Sequence, residues 1–80
     1  MITAQFALYP LRGTRLTPAL EHALAAARAA GATVEMGRMS STLEGTEEQV
    51  FAALRAAFDA VAASGDTVLV TTISNACPVE

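Results

Sequence analysis

The residues best suited to covalent or acid–base chemistry are few and lie far apart in the sequence. Cys77 is the single cysteine and His22 the single histidine of an 80-residue chain. A nucleophilic thiol or hydroxyl needs a base within hydrogen-bond reach, and His22 falls in the middle of a predicted helix, remote from Cys77. A lone cysteine makes no internal disulfide and no Cys-x-x-Cys motif, and one His with one Cys cannot supply the clustered ligands of a metal centre. Phosphate chemistry would need an arginine from a glycine-bearing first loop and an asparagine from the third strand. Arg12 and Gly13 suit the first role, but Ser41-Thr42-Leu43-Glu44 holds no asparagine. The expectation is a non-enzyme with no metal and no cofactor.

The elements that must position any site can be read from periodicity. From Ile2 to Tyr9, Ile2, Ala4, Phe6 and Leu8 alternate with Thr3, Gln5, Ala7 and Tyr9, the period-two pattern of a strand with one core face. Thr17-Pro18 reads as a cap followed by a first-turn proline, which predicts a helix from Pro18 to about Ala30 carrying Leu20, Leu24 and Ala27 inward; Gly31 ends it. A second strand is expected over Thr33–Met39, with Val34, Met36 and Arg38 on one face, and a third over Ser41–Gly45 in a hairpin with it. Thr46-Glu47-Glu48-Gln49 has the spacing of a capping box with two acids in the first turn. The stripe Val50, Leu54, Ala57, Phe58 and Val61 follows, with Phe51 at its edge and Gly65 as the stop. Thr67–Ser74 is a β-branched last strand.

This order, strand–helix–strand–strand–helix–strand, predicts a single α+β domain over residues 1–80. It is a ferredoxin-like sandwich: two helices on one face of a four-stranded antiparallel sheet, the first and third strands central. The other sheet face stays open, carrying Thr3, Gln5, Ala7, Tyr9, Glu35, residues from 41 to 44 and one face of the last strand.

Composition narrows the function classes. The net charge is −3, with five arginines, no lysine and no basic cluster, so the electrostatic footprint of nucleic-acid binding is missing. Base stacking on the sheet would need exposed aromatics on the central strands, and Tyr9, at a strand end, is the one candidate. No run approaches the roughly 20 apolar residues of a membrane span, and the amino terminus has no basic start with an apolar stretch. A cytoplasmic protein is expected, without membrane insertion. Hydrophobic residues make up 52 % of the chain. A domain this short hides only about 60 % of the surface of its unfolded form, so a homodimer or higher homo-oligomer is expected.

Three blocks carry a family resemblance: Gln5-Phe6-Ala7-Leu8-Tyr9-Pro10-Leu11, then Ser41-Thr42-Leu43-Glu44-Gly45 with Val50-Phe51, and finally Ser74-Asn75-Ala76-Cys77-Pro78. In this order and spacing they resemble the YkoF family over nearly the whole chain. The resemblance implies a ferredoxin-like domain that binds thiamin or its hydroxymethylpyrimidine half without chemistry, in transport, salvage or sensing. Family members often carry two such domains in tandem, so a second copy is expected to stand in for the tandem here. Thr71-Thr72-Ile73 resembles single-domain relatives of the wider thiamin-binding group, which form oligomers.

An aminopyrimidine needs an amide or hydroxyls along its edge, an apolar wall for its face and, for thiamin, a carboxylate near the cationic thiazolium. The ligand-binding candidates are Gln5, Tyr9, Glu35, Ser41, Thr42, Asn75 and Cys77, with Glu44 as an alternative carboxylate. Each has a plainer reading. Gln5 also suits water or a subunit interface, and Tyr9 suits the rim of the core. Ser41 and Thr42 suit backbone bonds within a hairpin. Glu35 and Glu44 suit solvent, Asn75 suits a turn, and Cys77 behaves as a small apolar side chain. The competing function is a regulatory or interaction domain whose open face makes oligomers or binds another metabolite.

Overall fold

The computed structural model describes residues 1–10, 16–37, 40–63 and 65–76. The elements run β1 (Ile2–Pro10), α1 (Leu16–Ala29), β2 (Thr33–Met36), β3 (Ser41–Gly45), α2 (Glu47–Ala62) and β4 (Thr67–Ser74). The sheet is antiparallel in the order β2-β3-β1-β4. The expected ferredoxin-like architecture is therefore present, with β1 and β3 central.

The alternation in β1 sets the two faces. Ile2, Ala4, Phe6 and Leu8 are buried and join Leu43, Ala23, Leu24, Ala27, Val50, Ala53, Leu54, Ala57 and Val61 in one core. Both helices meet that core largely through small side chains, Ala23 and Ala27 from α1 and Ala53 and Ala57 from α2, which lets the layers lie close. Phe58, expected in the inward stripe of α2, is instead half out of the core, and Ala53 takes a buried place. The larger ring is left at the flank where the stripe runs past the sheet.

α2 begins as its sequence requires. The Thr46 hydroxyl accepts from the Gln49 amide at 3.1 Å, and the Gln49 side-chain carbonyl accepts from the Thr46 amide at 2.9 Å. Gln49 also lies against two glycines: a Cβ on Gly45 would sit 2.8 Å from its Oε1, and one on Gly31 would sit 3.3 Å from its Nε2. Gly31 has φ 102°, the left-handed conformation that closes α1. The close approach ties the end of α1, the end of β3 and the start of α2 to one side chain.

α1 starts at Leu16, two residues before the expected Pro18. Thr17 lies within the helix and is not its cap, and Pro18 remains in the first turn, where a missing N–H leaves no bond unmade. β2 stops at Met36, short of the expected Met39, because the hairpin closes there, with the Gly37 amide donating to the Ser40 carbonyl at 2.9 Å. Arg38 and Met39, like Arg12, Gly13 and Cys77, lie outside the described residues. Among the described residues no helix is long and apolar enough to cross a membrane.

Candidate functional site

Strand register decides which candidate residues share a surface. Gln5 lies opposite Thr42 on one side and Thr72 on the other, and all three point away from the helices. Glu35 lies opposite Thr42 on β2, and Tyr9 opposite Val68. The open face thus gathers Gln5, Tyr9, Glu35, Thr42 and Glu44, as its alternation implied. Tyr9 is 52 % exposed, so it is not a closing side chain of the core.

Ser41 does not join them. It pairs with Phe6, faces the helices and is 3 % exposed. Successive residues of a strand point to opposite faces, so Ser41 and Thr42 cannot both line one sheet-face site.

Among the described residues the open face offers depressions of about 220 Å³ each in two places. One is lined by Thr33, Glu35, Thr42 and Glu44. The other lies against Gln5, Ala7, Tyr9, Val70 and Thr72. The first presents two carboxylates with no aromatic wall.

A larger hollow of about 370 Å³ opens at the end of the sheet, where the start of β1, the end of β4 and the first turn of α2 converge. Its lining is Ile2, Glu47, Phe51, Ile73, Ser74 and Asn75. Phe51 is 50 % exposed and Ile73 37 %, so a flat apolar surface faces solvent beside a carboxylate, a hydroxyl and an amide. The backbone here is held in place: the Ser74 hydroxyl accepts from the Ala76 amide at 3.0 Å and turns the chain just past β4. The capping box fixes Glu47 and Phe51 on the other wall. Asn75 therefore belongs with Glu47 and Phe51, apart from Gln5 and Thr42.

In sequence Glu47 reads as an acid in the first turn of α2 and Phe51 as the edge of a core stripe. The signal that could have found them is Phe51 itself, an aromatic residue next to the buried stripe and one helical turn from an acid.

His22 is exposed on α1. Among the described residues no group of three or more His, Cys, Asp or Glu side chains is placed to hold a metal ion, and no buried side-chain nitrogen or oxygen lacks a hydrogen-bond partner. Glu47, Ser74 and Asn75 of the hollow are exposed.

Three solved structures share this fold. The hypothetical protein MJ1052 from Methanocaldococcus jannascii superposes with a TM-score of 0.85 at 22 % identity, over 99 % of this chain and 84 % of that one. A domain of unknown function, DUF77, from Bacillus cereus has a TM-score of 0.79 at 21 % identity, covering 91 % of this chain and 73 % of that one. Protein SP2199 from Streptococcus pneumoniae has a TM-score of 0.79 at 13 % identity, covering 91 % and 83 %. At these identities the likeness is one of fold. No curated protein matches the chain. The sequence itself matches the YKOF-related family over residues 1–80, the whole chain, and the chain belongs to this family.

Proposed function

We propose that the protein is a non-catalytic binder of a small aminopyrimidine, thiamin or its hydroxymethylpyrimidine half, and that the ligand occupies the hollow at the end of the sheet. The observation that carries the reading is the composition of that hollow. Phe51 and Ile73 offer a wall for a flat ring, the Asn75 amide can donate to a ring nitrogen and accept from an exocyclic amine, and the Glu47 carboxylate favours a cationic substituent. Its volume, about 370 Å³, is in the range of small-molecule sites, roughly 300–1,000 Å³. Family membership supports the same ligand class.

Among the described residues that line the hollow, Glu47 is the one titratable side chain. On this reading the protein is a carrier, buffer or sensor of its ligand.

A second placement is favoured by one observation: Gln5 is exposed between Thr42 and Thr72, an amide between two hydroxyls on the open face. Substitution separates the two. The experiment is a thermal-shift series with thiamin, hydroxymethylpyrimidine and their phosphates. A ligand at about a hundred times its Kd stabilises the folded state by about 2.7 kcal/mol, which in so small a domain raises the midpoint on the order of 10 °C. No shift with any of these at millimolar concentration refutes the ligand class. A shift abolished by Gln5→Ala but untouched by Asn75→Ala moves the site to the open face.

A further inference from the structure

We propose that the open face of the sheet is a docking surface for an amphipathic helix of another protein, one that carries arginines at one end and large aliphatic side chains further along the same stripe. The inference goes beyond small-ligand binding and does not depend on it.

An antiparallel sheet with one solvated face turns polar side chains to water. Half of the open face obeys this. Register sets Glu35, Thr42, Gln5 and Thr72 in one row across all four strands, and Glu44 stands in the next row, opposite Thr33. The other half departs from it, because Val70, Val68 and Tyr9 face outward at 56 %, 42 % and 52 % exposure. Apolar side chains gathered on an exposed face mark an interaction surface. Each half holds one of the depressions: Glu35 and Glu44 line the first, and Ala7, Tyr9 and Val70 help to line the second.

Charge identifies the occupant. Neither Glu35 nor Glu44 has an ion-pair partner among the described residues. The described strands hold no arginine, and the chain has no lysine. A second copy stacked on this face would therefore desolvate the carboxylates of both copies with no cation to meet them. A polyanion would be repelled by the same two groups. Arginines of a partner instead gain charge-assisted, two-pronged hydrogen bonds there.

Backbone chemistry identifies the occupant's shape. A strand laid across Val68 and Val70 would leave its own N–H and C=O groups unpaired against apolar side chains, whereas a helix satisfies its backbone internally. At about 4.8 Å between strands and 3.4 Å per residue, Glu35 lies roughly 20 Å from Val68 along the diagonal of the face. That distance is spanned by about 13 residues of helix. Glu35 and Glu44 are diagonal neighbours, about 7–8 Å apart, which suits two arginines one helical turn apart. The docked helix would form a third layer on the sheet.

The probe is a stapled helical peptide of about 16 residues, with two arginines one turn apart and two leucines further along the same stripe. Its binding to the full chain is read by fluorescence anisotropy. Saturable binding is expected, at least tenfold tighter than for the same peptide with glutamates in place of arginines, and weakened severalfold when NaCl rises from 50 to 200 mM. Glu35→Gln with Glu44→Gln, and separately Val68→Thr with Val70→Thr, should each weaken it at least fivefold. Glu48→Gln, the same charge change on α2, should leave it unchanged. Absence of saturation at 1 mM peptide overturns the proposal. So does equal affinity for the glutamate peptide, or binding that survives both face variants. A homo-oligomer in sedimentation that Val68→Thr with Val70→Thr dissociates would give the face to a second copy and overturn it as well.

Discussion

Asn75 stands one residue beyond β4, at a position set by the turn that Ser74 makes with the Ala76 amide. If its amide pairs with a pyrimidine edge, Asn75→Ala leaves a ligand donor or acceptor unpaired against the wall of the hollow and should weaken binding by about 1–3 kcal/mol. Phe51→Ala removes the surface on which a ring would lie, a loss of similar size, about 1–3 kcal/mol for stacking on an aromatic side chain. Both are readable by calorimetric titration. Asp59→Ala, in an exposed pair with Arg55 at 3.7 Å on α2, is the control and should leave affinity unchanged. Cys77→Ser is expected to keep affinity within a few fold, because neither a second cysteine nor a basic neighbour in sequence activates the thiol. The sequence made Asn75 visible as a candidate but not its companions. Glu47 and Phe51 are distant from it in the chain, and only the pairing of β4 with the start of β1 carries them together.

Among the elements, α2 was the most legible because its start is local. Thr46 and Gln49 complete each other's hydrogen bonds within one turn, so their types and spacing suffice. Thr46→Ala should cost about 1 kcal/mol and lower the thermal midpoint by roughly 4–8 °C. Gly45→Ala should reproduce much of that loss, since its methyl would press on Gln49 Oε1, the acceptor of the box; a midpoint within a degree of the native protein would show that Gln49 can step aside. The strands were legible in number and order, and β1 in its phase. β3 was not, because a five-residue strand with Ser41, Thr42 and Glu44 has too few apolar positions to announce which face is inward. Its register against β1, Phe6 with Ser41 and Gln5 with Thr42, settles that. Thr17 likewise resembled a cap in isolation, yet α1 had already begun at Leu16.

For the molecule as a whole, the sheet is covered on one side by helices, and the apolar residues left outside are concentrated at β4 and the adjoining flank of α2. In the homo-oligomer that the sequence leads one to expect, folding and pairing are linked: a dimer that unfolds to two chains gains stability with concentration by mass action. A hundredfold rise, from about 2 to 200 μM, contributes about 2.7 kcal/mol per dimer. Set against the unfolding entropy of two 80-residue chains, it should raise the midpoint by on the order of 8 °C. Phe58→Glu places a charge on the exposed apolar flank of α2, where a second copy would have to cover it, while its exposed position spares the core. That variant should keep the native midpoint at the lowest concentration and lose most of the rise. A midpoint independent of concentration in the unmodified chain would mean that the 80-residue domain stands on its own core, and that the uncharged edge of β4 is left open to solvent.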